Sequence, residues 1–270
     1  MSLPLFIVDA FTSQPFAGNP AAVVMLKHEI PDELMAKIAA EMNLSETAFV
    51  LANPPNRFVL RWFTPRVEVS LCGHATIATA HVLFSEYGYK PETIEFETLS
   101  GILRAARRGA EISLDFPLDN PLDPQAVPAE LLSALGLEHY VAAFWGQRTN
   151  KLVFHVEDEL IVRALKPDFQ RMSQLALPEV KGVGVTAPGK DKYDFVSRYF
   201  NPWAGINEDP VTGSVHTLLA PYWSKLLGKN ELFAFQASAR GGELRLFTRA
   251  DGRVDIRGGA VLVVRGDITP

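Results

Sequence analysis

Two short stretches of this 270-residue chain carry residue types able to bind an anion and move a proton. Cys72-Gly73-His74-Ala75-Thr76 opens an apolar run in the first half, and Asp209-Pro210-Val211-Thr212-Gly213-Ser214 opens a similar run in the second. Each reads as a tight glycine turn feeding a buried helix. The first N–H groups of a helix lack intrahelical partners and point outward at its positive end, so such a start suits an anion. Gly73 and Gly213 stand 140 residues apart, about half of the chain. Two such starts, one per half, suggest a ligand held between two related domains.

Glu46 follows Asn43-Leu44-Ser45 at a helix-to-strand junction and precedes the apolar Thr47-Ala48-Phe49-Val50. A carboxyl placed there can be half-buried. Burial raises a carboxyl pKa and lets one group accept and return a proton near neutrality. The plainer reading is an exposed strand-edge glutamate. His74 sits at a helix N-terminus, whose partial positive charge disfavours protonation. It either donates a hydrogen bond to a substrate oxygen as neutral imidazole or serves as a polar cap. Asp209 can cap backbone N–H groups, or orient a substrate or His74. Ser214 offers a hydroxyl and an N–H that suit a carboxylate, and is also an ordinary helix-start residue.

Cys72, the single cysteine, is either a nucleophile or a small buried residue, and no second thiol exists for a two-thiol acid/base pair. The six histidines show no HExxH spacing and join no cysteine cluster, so no metal is expected. The chain also lacks GxSxG, GxxxxGK[ST] and a GxGxxG after the first strand.

Elements able to position these residues follow from the apolar pattern. Strands are expected at Pro4–Ala10 and Ala21–Leu26, with Phe16-Ala17-Gly18-Asn19-Pro20 as the loop between them. Leu34, Ile38 and Met42 predict an amphipathic helix over Pro31–Met42. His74–Tyr87 is apolar around most of its circumference, which predicts an enclosed helix. Pro117–Pro128, rich in proline and aspartate, reads as a linker. Beyond it the plan repeats: a short helix at Glu130–Leu135, strands, a helix over Val215–Leu227, and closing strands to Val264. Strands dominate without strict strand–helix alternation, which argues against a doubly wound parallel sheet.

Composition narrows the function classes. A formal net charge of −5 and no basic run argue against nucleic acid, and Arg104, Arg107 and Arg108 read as a solvated strand or turn. One cysteine excludes an internal disulfide framework and suits a reducing compartment. Met1–Phe11 lacks the charge and long apolar region of a signal peptide, and no run approaches a membrane span. A soluble cytoplasmic protein is the expectation.

The chain resembles the phenazine-biosynthesis isomerase (PhzF-like) family, of the diaminopimelate-epimerase-like fold. The matching pieces are Asp9-Ala10-Phe11, Phe16 to Val24, Asn43-Leu44-Ser45-Glu46-Thr47-Ala48-Phe49, Arg61-Trp62-Phe63-Thr64-Pro65, Leu71 to Thr76, Ser197-Arg198-Tyr199-Phe200 and Glu208 to Ser214. The resemblance implies an α+β protein of two similar domains, each a mixed β-barrel around a central helix. The expected bounds are 1–117, completed by 261–270, and 118–260. It implies a small carboxylate-bearing substrate in an interdomain cleft, a homodimer, and neither metal nor organic cofactor. Glu46, His74 and Asp209 take the catalytic positions; Asn19, Ser45, Gly73, Gly213 and Ser214 take the substrate-binding ones. In racemases and epimerases of this fold two cysteines face each other across the substrate. Here only Cys72 matches, which favours one-base proton transfer between carbons over two-base inversion. A racemase using Cys72 with an unlike partner, and a non-catalytic binding protein, are the alternatives.

Overall fold

The computed structural model describes residues 2–53, 57–124 and 127–270. The chain divides into two units, Met1–Asp115 with Ile256–Pro270, and Phe116–Asp255. The first contains β1 (Leu3–Ala10), β2 (Asn19–Leu26), α1 (Asp32–Met42), β3 (Glu46–Asn53), β4 (Arg57–Phe63), β5 (Glu68–Val69), α2 (Gly73–Ser85), β6 (Thr93–Thr98) and β7 (Gly101–Arg108); β8 (Glu111–Pro117) leads out of it. The second contains β9 (Pro121–Leu122), α3 (Ala129–Leu135), β10 (Ala142–Gly146), β11 (Lys151–His155), α4 (Glu159–Ala164), α5 (Phe169–Gln174), β12 (Val183–Pro188), β13 (Phe195–Asn201), β14 (Ile206–Glu208), α6 (Gly213–Leu227), β15 (Glu231–Gln236) and β16 (Gly242–Thr248). β17 (Arg253–Gly258) leads back, and β18 (Ala260–Ile268) pairs antiparallel with β1.

The two units repeat one pairing scheme. In the first, β1–β2 is antiparallel, β2–β3 parallel, β3–β4 and β4–β5 antiparallel, β4–β6 parallel and β6–β7 antiparallel. In the second, β10–β11 is antiparallel, β11–β12 parallel, β12–β13 and β13–β14 antiparallel, β13–β15 parallel and β15–β16 antiparallel. The helix opened by the glycine stands at the same place in both, after β5 and after β14.

In each unit helices cover both faces of the central strands. α2 packs against β1, β2, β3, β7 and β18 and is buried from His74 to Ala80 and at Val82, Leu83 and Phe84. The opposite face is covered by α1, whose Met35, Ile38 and Ala39 join Ala22, Val24, Phe49 and Phe63 in one core. In the second unit α6 fills the inner place, with Val215, Leu218, Leu219 and Trp223 buried. α3 to α5 cover the outer face, packing Leu131, Val162 and Met172 against Phe154, Val185 and Phe200. Burial of each such side chain stabilises the fold by ~1.5–3 kcal/mol. The architecture is therefore the expected α+β one, two mixed barrels each around a central helix. Among the described residues no helix is long and apolar enough to cross a membrane.

The structure departs from the sequence reading at several points. β2 begins at Asn19, not Ala21, because Asn19 and Pro20 pair with Ala10 and Asp9. α4 and α5 went unforeseen: six residues each are too few to display a helical period, and both start on aspartate caps, Asp158 and Asp168. Pro117–Pro128 is more than a linker. Its Pro121 and Leu122 pair with β10, and Asp119, 3% exposed, accepts hydrogen bonds from the N–H groups of Arg148 and Thr149 and from the Thr149 hydroxyl. Aspartate there is an acceptor for loop amides, a role composition alone reads as coil. Gln125 and Ala126 of that stretch lie outside the described residues.

Candidate functional site

The starts of α2 and α6 are built alike. The caps Cys72 and Thr212 are both extended, with φ −145° and −110°. Three residues after each glycine a side chain closes the first turn onto the cap carbonyl. The Thr76 hydroxyl donates to Cys72 O at 2.5 Å, and His216 Nδ1–H donates to Thr212 O at 2.8 Å. Neither Gly73 nor Gly213 has positive φ, so each is the first helical residue and no left-handed turn is required. What glycine contributes is a missing side chain in front of the first amides.

In the first unit Glu46, as the first residue of β3, pairs with Ala21 of β2. Its position follows from the turn before it. Asn43, left-handed with φ 49°, ends α1, and Leu44 and half-buried Ser45 lead directly into the strand. Glu46 Oε2 lies 3.3 Å from His74 Nε2, with the two side chains 15% and 6% exposed. The contact is close but misaligned for a hydrogen bond, and among the described residues Nε2 has no hydrogen-bond partner. On the ring's other edge, the fully buried Asn19 places Nδ2 3.3 Å from Nδ1, and Cys72 Sγ stands 3.5 Å from the same nitrogen.

These contacts set the imidazole's chemistry. An amide nitrogen only donates, so Nδ1 presents its lone pair and the ring proton rests on Nε2, facing Glu46. Burial pushes the His74 pKa down to about 3, so the ring is neutral at physiological pH. The neutrality expected from the helix end thus has desolvation as its cause. Glu46, Cys72 and His74 offer donor atoms within 4.8 Å of one another, of kinds that hold zinc. The thiol is nearest Nδ1 and the carboxylate nearest Nε2, two neighbouring nitrogens of one ring.

The second unit places Asp209 in the turn before α6. Its Oδ2 accepts from the Thr212 hydroxyl at 2.5 Å, and its N–H donates to Tyr199 O. Gly213 is buried and Ser214 half-buried. Fully buried Gln236 clamps this turn, accepting from Thr212 N–H at 2.9 Å and donating to Asp209 O at 2.7 Å. The sequence reading passed over Gln236, a single polar residue ending an apolar strand. Lys151, 8% exposed and in the field of Asp209 and Asp119, was missed for the same reason. The structure thus gathers Asn19, Glu46, Cys72 and His74 in one unit, with Ser45 beside Glu46 and Gly73 opening α2, and Asp209, Gly213 and Ser214 in the other.

A family model described as "Phenazine biosynthesis-like protein" matches residues 8–266. An uncharacterized isomerase of Pseudomonas aeruginosa is 49% identical over 269 residues, covering 99% of each chain. A solved PhzF-family phenazine biosynthesis protein from Enterococcus faecalis shares 44% identity and a TM-score of 0.93 over the whole of both chains. A probable proline racemase from Agrobacterium radiobacter, 13% identical with a TM-score of 0.60 over 99% of this chain and 93% of its own, shares the fold alone.

Proposed function

The chain belongs to the phenazine biosynthesis-like (PhzC-PhzF) family, and from that premise we propose a cofactor-independent isomerase that moves a proton between carbons of a small carboxylate-bearing substrate. The observation that carries this reading is the approach of Glu46 Oε2 to Nε2 of the neutral His74. Glu46 takes a proton from a substrate carbon, and the electron pair left behind delocalises toward a substrate oxygen. His74 Nε2–H donates a hydrogen bond to that oxygen. With its pKa near 3, His74 holds charge in place rather than delivering a proton. Glu46 then returns the proton to a second carbon. Acid/base catalysis of this kind supplies ~10²–10⁴-fold in rate, and positioning and water exclusion supply the rest. Asp209 steers polar groups of the substrate, and Gly213 and Ser214 hold its carboxylate. The related isomerase's name accords with this class of reaction.

The test runs in D₂O with a panel of small cyclic and unsaturated carboxylates. Wild-type protein is expected to move label between two carbons. Glu46→Gln should lose at least ~10²-fold in turnover while still gaining thermal stability from ligand. Inversion at one labelled stereocentre would instead select a racemase, and wild-type turnover by Glu46→Gln would remove the glutamate from the role. A homodimer is also proposed, checked by sedimentation at twice the 29.8 kDa chain mass.

A further inference from the structure

Lys151 opens β11 and is 8% exposed, yet among the described residues its ammonium has no hydrogen-bond or ion-pair partner. It rests 5.1 Å above the Tyr199 ring. Burial pushes its pKa down to about 8, against the carboxylates of Asp209 and Asp119, which favour the charge. Those carboxylates have other tasks: Asp119 takes Arg148 N–H, Thr149 N–H and the Thr149 hydroxyl, and Asp209 takes the Thr212 hydroxyl. A cation on a side chain this deeply enclosed is costly to desolvate. The cation therefore needs a reason other than folding.

Strand alternation places Lys151 against α6. Two residues along, Val153 faces that helix, since a Cβ on Gly184 would meet Val153 at 3.1 Å and Val215 at 3.5 Å. Tyr199 lies on the same face as Ser197, whose hydroxyl is 3.5 Å from His216 Nε2. Asp209 N–H bonds to Tyr199 O, so Tyr199 and the ammonium above it stand at the level of the first turn of α6.

The internal repeat gives the place its meaning. Arg61-Trp62-Phe63 on β4 corresponds to Arg198-Tyr199-Phe200 on β13. Ala48 pairs with Trp62 and Gly184 with Tyr199, so Glu46 corresponds to Gly182, and Ala21, which pairs with Glu46, corresponds to Lys151. A Cβ on Gly182 would collide with the Tyr199 hydroxyl, which thus fills the room where the Glu46 side chain begins in the first unit. Beside its helix start the first unit sets a carboxylate, and the second sets an ammonium.

We propose that Lys151 is an anion-binding residue that, with the N–H groups of Gly213 and Ser214 at the start of α6, holds the substrate's carboxylate. This rests on the reading of a carboxylate substrate given above. The test titrates benzoate into the full-length protein by calorimetry. Lys151→Met should bind benzoate at least ~10-fold more weakly with an unchanged or raised melting temperature, because it also removes an unpaired buried charge. Lys151→Arg should remain within a few-fold of wild type. A second readout needs no variant: benzoate should slow acetylation of Lys151 by a reactive ester, mapped by mass spectrometry, while exposed Lys225 reacts unchanged. Equal binding by wild type and Lys151→Met, or lost stability with unaltered affinity, overturns the assignment and leaves Lys151 as counter-charge to Asp209. Benzoate that binds neither protein and protects no lysine overturns the carboxylate reading as well.

Discussion

His74 illustrates how one side chain's role is decided by its two edges. Asn19 and Cys72 hold Nδ1 as an acceptor, and Nε2–H is left for Glu46 or a substrate oxygen. Asn19→Ala is therefore expected to lower kcat ~10-fold or more, on the scale of a lost catalytic hydrogen bond, with a smaller change in KM. The ¹⁵N shifts of His74 should move from the Nε2–H pattern toward a tautomer mixture. A loss confined to KM would mark Asn19 as a plain substrate ligand. Histidine burial also makes stability pH-dependent. His74 and His216 have folded pKa values lowered to about 3 and about 4 from 6.5, because burial excludes the charged form. The unfolded chain then binds more protons than the folded one below pH 6.5, so stability is full above that value and is lost as pH falls toward 4 and 3. Each group contributes up to ~1.4 kcal/mol per pH unit across its window. Urea midpoints should fall steadily from pH 6.5 downward, and His216→Gln, which can still donate to Thr212 O, should show a shallower fall.

At the scale of elements, each unit fastens its inner strand with one arginine. Arg61 binds Glu68 of β5 with two bonds, at 2.7 and 2.8 Å, and reaches Asp32 at the start of α1. Arg198 binds Glu208 of β14 with the same two distances and donates to the carbonyls of Val162 and Leu165, where α4 ends. Both short strands lead directly into the glycine starts, so the arginines orient the chain that positions the site. The Arg198–Glu208 pair is 11% and 19% exposed. Arg198→Met leaves a buried carboxylate and two carbonyls without their donor, and should cost ~3–5 kcal/mol in urea unfolding. Arg57→Met, which breaks only solvent-facing pairs with Glu95 and Glu97, should leave the midpoint within error of wild type.

At the scale of the whole molecule, the second unit is one continuous segment, Phe116–Asp255, set into a first unit that is completed by Ile256–Pro270. β18 pairs with β1 along nearly its full length, from Leu3–Ile268 to Ala10–Ala260. A chain ending at Asp255 loses that partner and exposes a strand edge. Residues 116–255 expressed alone should show cooperative unfolding and protected amides by hydrogen exchange. Residues 1–115 alone should not, until a peptide of residues 256–270 is supplied. Exchange as slow in the isolated 1–115 segment as in the intact protein would contradict this.

The sequence by itself determined the α+β class, the repeat and the enclosed helices, because apolar period and glycine placement are local signals. It also singled out Glu46, His74 and Asp209, whose residue types at helix and strand starts are legible without coordinates. Only the tertiary structure decided what these groups touch. Asn19 was legible as a loop residue and proved to be the partner of His74, because β1 draws it into a strand. His74 is neutral through enclosure by strands distant in sequence. Lys151, Gln236 and Asp119 carry no local mark at all. A polar residue's meaning there depends on desolvation and on partners tens of residues away, and no spacing along the chain records either.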